Sequence, residues 1–179
     1  MVLPIYLYDH PILRKKLSLV ENINDELVSL IENMHLTMEA AEGIGLASNQ
    51  VGQDYRLITV DLRGIKDHEN FKPLTLINPI INAFSEEKEK YDEGCLSLPD
   101  LRADVIRPIE IEVSFYDENM IEKSINANEI LARVIQHEVD HLNGIYFFDH
   151  LSTVKRSLLK RKLLEIKRGY IDTDYLIYN

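Results

Sequence analysis

In the run Gln136-His137-Glu138-Val139-Asp140-His141, two imidazoles stand four residues apart. On an α-helix that spacing sets both rings on one face, roughly 5.4 Å apart, where they can grip a single metal ion. Glu138 is rotated to the side of that face, within reach of a water molecule at the ion without being a ligand. Hydrolytic metalloenzymes use this HExxH arrangement to hold a divalent metal beside a general base. Taken alone the pattern is permissive, and a surface helix with two solvated histidines satisfies it as well.

The flanking sequence supports a helix there. Asn128 reads as its N-cap, Glu129 opens the first turn, Ile130, Leu131, Val134 and Ile135 precede the histidines, and Gly144 stops it. An earlier helix starts at Asn22-Ile-Asn24-Asp25-Glu26. It buries Leu27, Leu30, Ile31, Met34 and Met38 at helical spacing, with Gly43 as its stop. Between the two, Tyr55–Leu62, Leu74–Ile81 and Ile109–Tyr116 read as strands. Pro79 is expected to bend the second or set it at an edge, and Asp117-Glu-Asn119 turns the third into Met120–Ile125. A last helix is expected over about Thr153 to Arg168, its apolar side formed by Leu158, Leu159, Leu163, Leu164 and Ile166. The tail after Gly169 is too short and mixed to assign. The predicted fold class is α+β: an N-terminal helix, antiparallel β-sheets in the middle, a metal-binding HExxH helix and a C-terminal helix. With 179 residues and no repeat or linker, residues 1–179 make one domain, with 150–179 as the C-terminal helix and tail.

A two-histidine helix needs a third protein ligand, because open catalytic sites keep one position for water. Cys95, His10, His35, His68, His150 and any carboxylate are candidates. Cys95 stands in Glu93-Gly94-Cys95-Leu96-Ser97, where the glycine permits an unusual backbone and the thiolate suits borderline-soft metals. A lone cysteine is also commonly a core residue. A glycine-rich segment, Gly43-Ile44-Gly45-Leu46-Ala47-Ser48-Asn49-Gln50, follows the first helix. It lacks the lysine of a phosphate-binding loop and leaves a helix instead of opening one. What it can do is bring bare backbone to an extended ligand and aim Gln50 inward.

GIGLASNQ (43–50), EGCLS (93–97) and QHEVDH (136–141), in this order, resemble the three motifs of the peptide deformylase family. The resemblance spans nearly the whole chain. Two departures show: Ser48 where alanine is usual, and Arg133 where the family often has an apolar residue near the substrate side-chain pocket. The resemblance implies removal of the formyl group from N-terminal formyl-methionine, with release of formate. Cys95, His137 and His141 would then bind one divalent metal ion, and Glu138 would move the proton. Gln50 and the Leu96 N–H would stabilise the oxyanion. Ile44 and Gly45 would offer main chain to a substrate lying like an added strand. Gly94 and Arg102 would also face it, Arg102 being equally suited to a surface ion pair. Ile44, Tyr91, Ile130, Val134 and the His137 ring would form the methionine pocket, and Asp140 would be a local charge partner. The family implies Fe2+, with Zn2+, Ni2+ or Co2+ as substitutes, since a Cys/His/His set suits them all.

Composition narrows the partners. A net charge of -10 argues against direct sequence-specific or general nucleic-acid binding. No apolar run is long enough for a membrane span. No secretory signal is expected from Met1-Val-Leu-Pro-Ile-Tyr6, and a single cysteine fits a cytoplasmic location. Between Lys155 and Arg168, seven basic residues face one acid, Glu165, which makes either a solvated face or a site for an anionic partner. In the family this region resembles a ribosome-docking element, near the formylated nascent peptides. Two other readings of HExxH stay open on sequence alone: a metallopeptidase, and a non-catalytic module with a closed structural metal.

Overall fold

The computed structural model describes residues 1–178. Helix α1 (Asp25–Ala40) is capped by Asn24, whose side chain accepts from the Leu27 N–H at 2.8 Å. The predicted face is buried through Leu27, Ile31, Met34 and Met38, with Leu30 packed against it. The stop is one residue earlier than expected. Glu42, at φ 52°, takes the left-handed position, while the Glu42 and Gly43 N–H groups donate to Glu39 and Met38 carbonyls. Gly43 is needed for another reason: a Cβ there would lie 2.8 Å from the Leu96 side chain.

Strands β1 (Gly45–Ala47), β2 (Leu57–Val60), β3 (Leu74–Phe84), β6 (Glu110–Tyr116) and β7 (Glu122–Asn128) form one antiparallel sheet in the order β1-β2-β3-β6-β7. The glycine-rich segment is therefore a sheet edge followed by a 3-10 turn at Ser48–Val51. β2 is shorter than Tyr55–Leu62. Pro79 marks a bulge in the central strand β3, between the end of pairing with β2 and the run of pairing with β6; Asn78 sits beside it at φ 52°. The strand expected at Met120–Ile125 instead begins at Glu122 and runs on to Asn128. It passes directly into helix α2 (Glu129–Leu142), so Asn128 makes no side-chain cap; the Glu129 N–H donates to the Ile109 carbonyl of β6's leading edge at 2.9 Å. Gly144 does end α2, at φ 71°, where a Cβ would meet the Arg14 carbonyl.

The second of the expected antiparallel sheets is built from strands that the sequence pattern did not mark. β4 (Lys88–Cys95) and β5 (Leu98–Pro108) make a long hairpin closed by Leu96 and Ser97. Leu98, Leu101 and Val105 pack with Tyr146, Phe147 and Phe148, and with Leu163 and Ile166 of helix α3 (Thr153–Lys167). Leu158 and Leu164, expected on the buried side of α3, face solvent, because the helix docks through one narrow stripe. The five-stranded sheet packs its own core against Ala132, Ile135 and Leu142 of α2. α2 thus runs between the two sheets with nearly its whole circumference buried, including its histidines. No helix among the described residues is long and apolar enough to cross a membrane.

Candidate metal centre

The hairpin delivers Cys95 to the histidine face of α2. Ligand atoms of Cys95, His137 and His141 all lie within 4.8 Å of one another, and Cys95 Sγ is 3.2 Å from His141 Nε2. The two rings stand 5.1 Å apart. Cys95 is brought there by a register shift at Gly94/Cys95, which redirects the strand end toward α2. Among the described residues no fourth His, Cys, Asp or Glu joins this group. Three convergent donors, one soft and two imidazole, fit an open divalent site and not a closed structural one. His10, His35, His68 and His150 take no part.

Glu93 orients the first imidazole. Its Oε2 accepts from His137 Nδ1 at 3.0 Å, which turns Nε2 toward the metal position. The carboxylate is buried and also accepts from Arg107 (2.7 and 3.0 Å) and Arg133 (2.9 Å). Burial would raise its pKa, but the hydrogen bonds from His137 and Arg107 and the Arg107 charge overcome this and hold it well below the usual carboxylate range. Arg107 continues to Asp140 at 2.7 Å, and Asp140 to His150 at 2.7 Å, so Asp140 is the charge partner expected. Arg107 was not foreseen as part of the site, and Arg133 was expected only as a departure beside the side-chain pocket. Arg107 offered a signal: it shares the inward register of β5 with Leu101 and Val105, where a charge demands partners. Arg133 offered less. Its guanidinium spans three acceptors, Glu93, the Val105 carbonyl (3.1 Å) and the Glu89 carbonyl (2.7 Å), tying α2 to both strands of the hairpin.

Glu138 is buried beside β1. Its Oε2 has no protein partner, while a Cβ at Gly45 would lie 2.5 Å from Oε1. Gly45 is thus fixed by the space Glu138 occupies. Burial, followed by the nearby charges of Glu93 and Asp140, pushes Glu138 up to about 7 against the opposing influence of His137 and Arg107. An unpartnered carboxylate oxygen at such a pKa suits a group that takes and returns a proton. Burial would lower the His137 pKa, but hydrogen bonds with Cys95 and Glu93 set it well above the ordinary value. Burial and the charges of His137 and Arg107 drive His141 well below it.

Gln50 completes the arrangement. Its Oε1 accepts from the Ala47 N–H at 2.8 Å, which aims the amide nitrogen at Cys95 Sγ (3.6 Å) and Ser97 Oγ (3.2 Å). Asn49 anchors the same turn to α2 through the His141 carbonyl at 2.8 Å. Ser48 is more than a small residue: its buried hydroxyl donates to the Tyr55 carbonyl, with the Gln53 carbonyl 3.3 Å away.

The centre opens into a cleft of about 740 Å³ whose lining includes Ile44, Tyr91, Ile130, Val134 and His137, the residues expected for the side-chain pocket. Gly94, Leu96 and Arg102 line it too. Arg102 lies over Gly94 at the rim and is held by Asp92 through its side chain (2.6 Å) and carbonyl (2.8 Å), so it is at once a rim residue and an exposed ion pair. The Ile44 carbonyl is already used by the Asp61 N–H at 3.1 Å, and by antiparallel alternation the Gly45 main chain faces the open edge. Residues 172–175, in the tail left unassigned from sequence, form a further wall.

A family model for polypeptide deformylase matches residues 2–157. The chain is 42% identical over 182 residues to a peptide deformylase of Salinibacter ruber, covering 98% of this chain and 93% of that protein. It is 40% identical over 177 residues to one of Cytophaga hutchinsonii, covering 98% and 96%. The crystal structure of a peptide deformylase from Legionella pneumophila superposes with a TM-score of 0.85 at 34% identity, covering 95% of this chain and 98% of that one.

Proposed function

Because the chain belongs to the polypeptide deformylase family, we propose that Cys95, His137 and His141 hold one divalent metal ion at which Glu138 carries the proton of a deformylation. The protein is a metal-dependent hydrolase that removes the N-terminal formyl group from newly made polypeptides. The observation that carries the assignment of residues is the convergence of the three ligand atoms within 4.8 Å, from two elements distant in sequence.

When bound, the cation supplies Lewis acidity, bringing the pKa of a water molecule from about 15.7 toward 7 and polarising the formyl carbonyl. Glu138 takes the proton of the attacking water on its free Oε2 and delivers it to the amine nitrogen as the C–N bond breaks, so formate and a free N-terminus leave. The Gln50 amide and the Leu96 N–H donate to the oxygen that gains charge. The formylated peptide lies between the free edges of β1 and β4, using the Gly45 and Gly94 main chain, with the methionine side chain against Ile44, Tyr91, Ile130 and Val134. Ferrous iron is the proposed native metal; zinc, nickel and cobalt share the same ligand preferences. The cytoplasm is the proposed location, and the basic face of α3 the proposed ribosome contact.

Formate release from formyl-Met-Ala, set against internal cleavage of an unformylated peptide, tests the reading. Glu138→Ala should keep its metal and lose roughly 10²–10⁴ in turnover. Retained turnover, or cleavage of the unformylated peptide alone, would overturn it.

A further inference from the structure

The Leu96-Ser97 turn is held from outside its own hairpin. Cys95 pairs with Leu98, so only two residues close it. Two-residue hairpins favour turns with positive φ, yet neither Leu96 nor Ser97 has one. Ser97 is fully buried, so the turn's carbonyls need protein donors. Each has one, and both come from far away in sequence. The Tyr8 N–H donates to the Ser97 carbonyl at 3.0 Å, and the Tyr175 hydroxyl donates to the Leu96 carbonyl at 2.7 Å.

The segment bearing Tyr175 is itself fastened. The Ile5 N–H donates to the Leu176 carbonyl and the Tyr178 N–H to the Ile5 carbonyl, both at 2.9 Å. The rings of Tyr6 and Tyr178 stack at 4.1 Å. Thr173 Oγ1 closes a local turn on the Tyr175 carbonyl at 2.9 Å. One residue beyond Ile5, the Tyr6 N–H donates to the Gln50 carbonyl at 2.8 Å. Residues 5–8 and 173–178 thus form one clamp over the main chain of Gln50, Leu96 and Ser97.

We propose that Tyr175 is a positioning residue for the deformylation, its hydroxyl fixing the central peptide of the Leu96-Ser97 turn so that the Leu96 N–H stays aimed at the formyl oxygen. The inference rests on the reading of Leu96 as an oxyanion donor. Without the hydroxyl, the central peptide can rotate and the neighbouring donor is held less firmly. Tyr175 lines the cleft, so its ring also contacts the substrate space; only the hydroxyl belongs to the clamp.

Tyr175→Phe removes that hydroxyl and keeps the ring. On formyl-Met-Ala, kcat should fall about three- to tenfold, the worth of one neutral hydrogen bond, with KM within about twofold. Metal content should match the parent protein, and the thermal midpoint should fall by no more than about 2–4 °C, the worth of one hydrogen bond. Unchanged kcat, or a rise in KM alone, would overturn the proposal, the latter making Tyr175 a plain cleft wall. Loss of metal, or a fall in midpoint of about 10 °C or more alongside the loss of activity, would also overturn it, as a structural role. If the parent protein itself releases no formate, it is the underlying reading that fails.

Discussion

Glu93 Oε2 and His137 Nδ1 stand 3.0 Å apart, joining the first residue of the cysteine motif to the first histidine of the helix motif. One buried carboxylate therefore orients a ligand while pairing with two buried guanidiniums, Asp140 supplying the second negative charge at Arg107. Glu93→Gln keeps the volume and one acceptor but leaves Arg133 without its counter-charge and Arg107 with Asp140 alone. Breaking a buried ion pair on one side typically costs about 3–5 kcal/mol, and losing a partner behind a metal-ligating histidine costs about 10–100-fold in affinity. Urea unfolding and a competitive chelator titration should show both losses. A stable variant with parental metal affinity would refute the coupling.

Gly45 and Glu138 make the second test. A methyl group at Gly45 would come 2.5 Å from Glu138 Oε1 and 2.7 Å from Val134 Cγ1. Gly45→Ala must therefore displace the carboxylate or spread β1 from α2, an overpacking cost of about 1–3 kcal/mol. Metal content should persist, since no ligand moves directly, while kcat on formyl-Met-Ala falls. Parental kcat would mean that the Glu138 position is not critical.

The convergence of this centre was legible because its residues sit in contiguous motifs: the structure brings Cys95, His137 and His141 within 4.8 Å of one another and sets Gln50 and Glu138 beside them, the grouping that the resemblance implied. The helices were legible through their apolar periodicity. The β4–β5 hairpin was not. Lys88-Glu89-Lys90-Tyr91-Asp92 is largely exposed and has no alternation, so its strand character comes only from pairing with β5. Arg133 was ambiguous because its partner lies 40 residues away, on that unforeseen strand. Leu158 shows the converse failure: an apolar residue in a helical pattern, left in solvent because α3 docks along one narrow stripe. Tyr175 could not be read at all, since both groups that give it meaning, Ile5 and Leu96, are remote in sequence.

His35 supplies a pH-dependent contribution to stability. Its Nε2 lies 3.0 Å from Thr75 Oγ1, which in turn donates to Glu118 at 2.7 Å. Burial lowers the His35 pKa, with Arg63 acting the same way and Glu118 and Asp61 opposing. The unfolded chain therefore takes up this proton first, near pH 6.5, and stability is lost as pH falls from there toward the lower folded value. His35→Gln removes the titration. Its unfolding free energy should decline less steeply between about pH 7 and 5 than that of the parent. Identical slopes would show that His35 does not titrate differently in the two states.

The basic face of α3 carries the last expectation. Of its seven cations, Arg161 is paired with Glu165, Lys162 with Asp100 and Lys167 with Asp9. Lys155, Arg156, Lys160 and Arg168 have no acidic partner within 4.0 Å among the described residues. The charge available to an anionic partner is thus concentrated in the first two turns of the helix, beside the exposed Val154 and Leu158. Reversing Lys155, Arg156 and Lys160 to glutamate should abolish co-sedimentation with ribosomes, and the parental interaction should weaken steeply as salt rises past about 0.15 M. Formate release from formyl-Met-Ala should be unaffected, because none of the three lines the cleft. If the triple variant sediments as the parent does, docking does not use this face; the same substitutions at the paired Arg161 and Lys162 should weaken binding less, since their charge is already partly neutralised.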